Sequence, residues 1–176
     1  MFIEVESLRD GPLHVRHVYE PGTLRFENEQ AVLKGPVEVA FVLTHKEREL
    51  RLAGTVKAIL AVRCSRCLKD SVSSVDAAYD LVYAPQPRSS SPGEEIELKY
   101  GEMEVGFYDG LMFDVDLMVA EQVAMALPMK VVCKGDCAGL CPTCGKDLNE
   151  GPCACAPAPA DSRMAVLLDF RKKMTS

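Results

Sequence analysis

The sequence has no surplus of positive charge. Asp and Glu number 26 against 20 Lys and Arg, for a net charge of −6. Proteins that coat nucleic acid through phosphate contacts are normally basic, because their affinity comes largely from Lys and Arg displacing counterions. A general nucleic-acid coat is therefore disfavoured, although a local basic patch is compatible with this balance. The overall field favours a basic partner over bare RNA. No apolar run reaches about 18 residues, so no membrane span is expected. The opening MFIEVESLRD has two acids and no cation in its first eight residues, unlike a signal peptide with its basic and long apolar regions. A cytoplasmic chain is the expectation.

Histidine is scarce, with three in 176 residues. His14 and His17 form an HxxH pair, a metal-binding spacing on a helix. Their neighbours Val15, Val18 and Tyr19 read as strand, where residues three apart point to opposite faces. His45 stands alone at an expected hinge, with nothing near it in sequence to make it a base. Aromatics are also few. The apolar share of 48% with 26% charged residues still describes an ordinary globular protein, long enough for one good core plus a small appendage.

Cysteine is what the chain has in excess. Six of its eight cysteines fall in CKGDCAGLCPTCGKDLNEGPCAC, from Cys133 to Cys155, and the other two in Cys64-Ser65-Arg66-Cys67. Eight cysteines in a reducing compartment point to thiolates on metal rather than to disulfides. Zn²⁺ takes four thiolates in a tetrahedron, and a CxxC knuckle supplies two from one tight turn. In Cys141-Pro142-Thr143-Cys144-Gly145, proline presets the turn and glycine permits positive φ after the second sulfur.

Two arrangements follow. In the preferred one, Cys64, Cys67, Cys133 and Cys137 form one site, stapling a hairpin to the end of a helix. Cys141, Cys144, Cys153 and Cys155 form a second, local site, in which one of Cys153 and Cys155 can be a bystander. In the alternative, both CxxC knuckles share a single metal. Thiolate count alone does not separate zinc from iron–sulfur ligation. Catalytic zinc keeps an open position and usually has His, Asp or Glu ligands, so all-thiolate sites read as structural: one or two Zn²⁺ ions that help a short segment fold.

Alternation of period two marks the body. Val37, Val39, Phe41 and Leu43 are followed, after a polar break over 44–49, by Leu50, Leu52, Gly54, Val56, Ala58, Leu60 and Val62, and then beyond CSRC by Val75, Ala77, Tyr79, Leu81 and Tyr83. These read as half-buried antiparallel strands with CSRC in the connection between the last two. Ile3 and Val5 suit a short edge strand. The Pro/Ser-rich residues 85–94 read as a loop. Ile96 and Leu98, with Met103, Val105 and Phe107, suggest a pair of short strands about Gly101.

Asp114 is positioned to cap a helix running to about Leu127, before Pro128. Val115, Val119, Val123 and Ala126 fall on its apolar stripe, and Met112, Met118 and Met125 read as core filling. A Pro/Ala linker then leads to a candidate helix over 161–173. The expected fold is α+β: mainly antiparallel β-sheet or a partial barrel with one packed helix, a small Cys-rich zinc-binding segment and a C-terminal helix. The expected divisions are 1–132, 133–155 and 156–176.

Four stretches together resemble the YceD family, bacterial and plastid proteins called large ribosomal RNA subunit accumulation proteins. They are CSRCL (Cys64–Leu68), EQVAMALPM (Glu121–Met129), CAGLCPTCGKDLNEGPCAC (Cys137–Cys155) and DSRMAVLLDF (Asp161–Phe170). The resemblance runs from about residue 35 onward. It implies a role in 23S rRNA accumulation or maturation and in large ribosomal subunit assembly, with no catalytic residues to carry over.

The expected function is thus that of a non-enzymatic factor. Its expected partners are a pre-large-subunit particle, 23S rRNA or a basic ribosomal protein, with no membrane and no small-molecule substrate. Lys130, Lys134, Lys146 and Arg171–Lys173 read equally as RNA contacts or as solvated charge. The alternatives are a chaperone for a basic ribosomal protein and, less favoured, a thiol redox enzyme. CSRC follows a hairpin strand rather than opening a helix in a βαβ unit.

Overall fold

The structure is a computed structural model and describes residues 1–86, 105–109 and 111–156. The chain divides into two compact units. One is Met1–Ser65 with Lys69–Cys133; the other is Arg66–Leu68 with Lys134–Ser176, whose described part ends at residue 156.

The first unit is built on one long strand. β5 (Glu49–Arg63) carries β6 (Asp70–Pro85) along one edge, in an antiparallel register from Leu50 opposite Tyr83 to Arg63 opposite Asp70. Its other edge is shared. β4 (Val37–Lys46) covers Glu49 to Lys57, and β3 (Ala31–Leu33) covers Leu60 to Val62. β3 and β4 run in the same direction, interrupted at Lys34-Gly35-Pro36. Pro36 has no N–H to give a ladder, which suits such a break. β2 (Leu13–Tyr19) pairs antiparallel with β4 and ends the sheet on that side.

The period-two pattern does what it should. Val37, Val39, Phe41, Leu43, Leu50, Leu52, Val56, Leu60 and Val75 are buried on one face. The opposite face carries ion pairs such as Lys57–Asp76 at 3.1 Å and Arg51–Asp80 at 2.6 Å. Each fully buried Leu contributes about 2 kcal/mol of burial free energy, so the face with Leu43, Leu50, Leu52 and Leu60 dominates over exposed ion pairs.

The helix α1 (Val115–Met125) covers part of that apolar face. Val115, Met118, Val119 and Val123 are buried in the same core. Asp114 caps it by accepting from the Asp116 and Leu117 N–H groups at 3.0 and 3.2 Å. β1 (Phe2–Glu4) pairs with β8 (Met112–Asp114) immediately before the helix. The Asp116 carboxylate receives the N-terminal ammonium and the Tyr19 hydroxyl, the latter at 2.7 Å. Burial pushes its pKa up, but these two donors outweigh burial and hold it below the usual carboxylate range.

The sheet is mainly antiparallel, as expected, with one parallel pair: β7 (Val105–Tyr108) runs parallel to β6, from Val82 opposite Val105 to Pro85 opposite Tyr108. A parallel neighbour needs a crossover rather than a tight turn, and residues 86–104 separate the two strands. The strands expected at Ile96, Leu98 and Met103 lie outside the described residues, as does the helix expected over 161–173. Among the described residues the sheet is open, with β2 and β7 at its ends, and no barrel closes. Met125 is 80% exposed and Met112 is 44% exposed, so of the three methionines only Met118 fills the core. Met125 lies two residues past Val123, off the buried stripe. His45 sits inside β4 opposite Leu50, because the turn is only Glu47-Arg48, with Glu47 at φ 59°. Among the described residues no helix is long and apolar enough to cross a membrane.

Gly54 is a point of close approach. A Cβ there would stand 2.3 Å from the Ala40 carbonyl oxygen and 2.5 Å from the Phe41 Cβ. Gly54→Val is expected to destabilise the chain by at least about 2 kcal/mol. Gly135→Ala, with nothing within 4 Å of its would-be Cβ, should stay within about 0.5 kcal/mol of wild type; urea denaturation measures both. A second expectation concerns acid. Because the Asp116 pKa is depressed, its stabilisation is full above the unfolded value and is lost as pH falls through the folded one. Asp116→Asn should therefore be less stable at neutral pH and show a shallower loss of melting temperature below about pH 4. Parallel acid limbs in the two proteins would refute this.

Candidate metal centre

The eight cysteine sulfurs gather into two sets of four. In each set, Cys64, Cys67, Cys133 and Cys137 or Cys141, Cys144, Cys153 and Cys155, the ligand atoms lie within 4.8 Å of one another. The single-site alternative, joining Cys64 and Cys67 to Cys141 and Cys144, is not the arrangement seen.

The local chain positions each sulfur. Cys64 follows β5, and its N–H bonds the Lys69 carbonyl at 2.9 Å, closing the β5–β6 turn. Leu68 takes positive φ, 61°, to let the turn reverse. Beyond α1 the chain runs back alongside: Ser65 N–H donates to the Val131 carbonyl at 2.8 Å, and Cys133 N–H points at the Cys64 sulfur at 3.4 Å. Cys64, Cys67 and Cys137 are buried, and Cys133 is exposed.

In the second unit, Arg66 is a structural hub. Its guanidinium donates to the Cys137 carbonyl at 2.8 Å, and its own carbonyl accepts from Leu140 N–H at 3.1 Å. Gly139 lies against that carbonyl at φ 76°, where a Cβ would be 3.0 Å away. The knuckle after it closes by Cys141 N–H to the Lys146 carbonyl at 2.8 Å and Gly145 N–H to the Cys141 carbonyl at 2.9 Å, with Gly145 at φ 74°. Asp147 caps the short 3-10 turn Leu148–Glu150 through Asn149 N–H. The Asn149 side chain accepts from Ala138 N–H at 2.9 Å and donates to the Cys137 sulfur at 3.5 Å.

Arg66 and Asn149 thus orient the cysteines without being cysteines. Neither stands out by ligand type in the sequence, where Arg66 is only a filler of CSRC and Asn149 only a turn residue. The pair Asp147-x-Asn149, two side chains prone to bond nearby backbone, is the signal that points to the second.

The electrostatics fit a cation. Backbone N–H groups of Cys144 and Thr143, with the Cys153 thiol, bring the Cys141 thiol down to about 6. Cys155 is pushed up to about 12, first by its hydrogen bond to Cys144 and then by burial. Four sulfurs this close cannot all ionise unaided, because like charges oppose one another. A metal ion at their centre removes that conflict and deprotonates coordinating thiols. Tetrahedral Zn–S bonds of about 2.3 Å place sulfurs about 3.8 Å apart. Either set could therefore hold one mononuclear metal ion. The lysines beside the cysteines are otherwise engaged in part: Lys134 lies 3.9 Å from Asp136, and Lys146 donates to the Pro152 carbonyl at 3.0 Å. Lys130 is exposed, and Arg171–Lys173 lie outside the described residues.

Comparison with known proteins identifies the family. The family model "Large ribosomal RNA subunit accumulation protein YceD" matches residues 52–171. The chain is 26% identical over 158 residues to the Zea mays large ribosomal RNA subunit accumulation protein YCED homolog 1, chloroplastic, covering 77% of the chain and 53% of that protein. To the Arabidopsis thaliana protein of the same name it is 22% identical over 159 residues, covering 79% of the chain and 50% of the relative. An uncharacterized protein of Mycobacterium tuberculosis is 32% identical over 101 residues, 57% of the chain and 46% of that protein. The chain spans about half the length of the curated relatives it matches. No solved structure matches it. With the family model covering most of β5, all of β6 and α1 and every cysteine of both sets, the chain belongs to the YceD family of large ribosomal RNA subunit accumulation proteins.

Proposed function

We propose that this protein is a non-enzymatic factor supporting 23S rRNA accumulation and large ribosomal subunit assembly, with its eight cysteines holding two structural zinc ions. The observation that carries the metal reading is the grouping of four sulfurs within 4.8 Å, twice. Cys64, Cys67, Cys133 and Cys137 would hold one ion, and Cys141, Cys144, Cys153 and Cys155 the other. Zinc in such a site supplies folding free energy and saturates its coordination with thiolate. Sulfur spacing below 4.8 Å favours single ions over polynuclear clusters, whose metal atoms spread the ligands further apart. A reducing compartment such as the cytoplasm keeps the eight thiols available.

The ribosomal role rests on family membership, since relatives that carry this name are large ribosomal RNA subunit accumulation proteins. Acting by binding rather than by catalysis is favoured by the all-thiolate sets. They contain no histidine or carboxylate ligand of the kind hydrolytic zinc sites use. The excess of acids over bases favours a basic ribosomal protein on the pre-large-subunit particle as the direct contact over naked 23S rRNA.

Two measurements test the proposal. Native mass spectrometry of the purified chain is expected to show two zinc ions, falling to one in Cys64→Ser; iron, or an unchanged metal count in the variant, would reject the assignment. In cells, depletion is expected to lower 23S rRNA relative to 16S rRNA. Complementation by wild type but not by a variant with all four of Cys64, Cys67, Cys133 and Cys137 changed to Ser would tie that level to the first site. Unchanged 23S rRNA on depletion would rule out the accumulation role.

A further inference from the structure

The first unit carries an open groove of about 630 Å³ between α1, β7 and β8. Its floor is aromatic: Tyr83 and Phe113 meet edge-on with centroids 4.9 Å apart. Gly106 lies so close beneath that a Cβ would stand 2.5 Å from the Tyr83 ring. Its walls present large apolar side chains to solvent. Phe2 is 63% exposed, Leu111 is 68% exposed and Leu117 is 58% exposed. Single exposed apolar residues are ordinary, but several converging on one concavity mark an interaction site.

The charge around this groove has one sign. Asp109, Asp114 and Glu121 line it, and the described lining residues include no Lys, Arg or His. Carboxylates around an apolar floor repel phosphate and attract ammonium and guanidinium groups. An RNA backbone is therefore the wrong occupant. A wholly apolar segment would leave the exposed Asp109 and Glu121 facing it uncompensated, whereas Asp114 already accepts from the Asp116 and Leu117 N–H groups.

We propose that this groove docks a protein segment in which Lys or Arg residues flank large apolar side chains, the apolar groups entering between Phe2, Leu111 and Leu117 and the cations meeting Asp109, Asp114 and Glu121. The inference deepens the assembly reading by giving it a contact surface for a basic partner, and it uses none of the cysteines. The metal sites hold the chain's fold, and the groove recognises.

The test uses the full-length, metal-loaded chain and a fluorescein-labelled peptide of alternating Leu and Lys pairs, followed by anisotropy. Saturable binding is expected, weaker by about tenfold or more when Glu replaces Lys in the peptide. Leu117→Asp should weaken it by a similar factor. The double variant Asp109→Lys, Glu121→Lys should prefer the Glu peptide. All three residues are exposed, so thermal melts should match wild type.

Binding that is indifferent to all three substitutions would overturn the proposal. So would displacement of the probe by a single-stranded RNA oligonucleotide, which would make the surface a nucleic-acid site. Displacement by a peptide of residues 161–173 would assign the groove to the chain itself, and self-association lost in Leu117→Asp would assign it to a second copy. Since binding is read on purified protein and the accumulation role on 23S rRNA in cells, either can fail without the other.

Discussion

The pairing of β5 with β6 is the constraint from which the rest of this protein follows. Fourteen consecutive residues of β5 are in register with β6, and the ladder ends where the cysteines begin. A slip of one residue would move Leu50, Leu52, Val56 and Leu60 from the core face to solvent. Burial therefore sets the register, and the register in turn determines where the β5–β6 turn presents Cys64 and Cys67. The placement of these two sulfurs depends on hydrophobic packing several residues away.

The sulfurs themselves show a division of labour. In the first set Cys64, Cys67 and Cys137 are buried and Cys133 is exposed, whereas in the second only Cys141 is buried, Cys144 is exposed and Cys153 and Cys155 are partly so. The set beginning at Cys141 is made almost wholly of turns, with Gly145 and Gly151 at positive φ and Asp147 tying down the 3-10 turn. Such a segment has little apolar surface to bury and must be held by bonds through its polar atoms. The set containing Cys64 instead borrows order from the end of a long strand. Two sets of the same composition thus stand on different foundations, one on hydrophobic burial and one on hydrogen bonds within turns.

Much of this was legible from residue order alone. The alternation from Val37 to Val62 and from Val75 to Tyr83 marks half-buried strands because a sheet with one wet face imposes period two. The Asp114 cap and the Val115, Val119, Val123 stripe mark the helix for the equivalent reason at period 3.6. Cysteine spacing marked the thiol sets, since only local turns can bring Cys141 and Cys144 together. Other features resist such reading. The parallel course of β7 depends on the path of the chain between Gln86 and Val105, which alternation does not encode. Composition misplaces Met125: a methionine is a good core filler, but two residues past Val123 it faces away. Arg66 and Asn149 matter through side-chain hydrogen bonds whose geometry exists only once the turns have formed. The groove between α1, β7 and β8 is legible only in three dimensions, since Phe2, Asp109 and Glu121 share no local pattern.

The pairing of β1 with β8 has a temporal side. Strands β4, β5 and β6 are neighbours in sequence and can zip as they emerge, with only short loops to close. β1 has no such neighbour: Phe2 is matched with Asp114 and Ile3 with Phe113. During synthesis β1 stays without its partner until Met112–Asp114 have been made. The β1–β8 pairing spans more than one hundred residues of sequence, and closing so long a loop makes it a late contact in the folding of this unit.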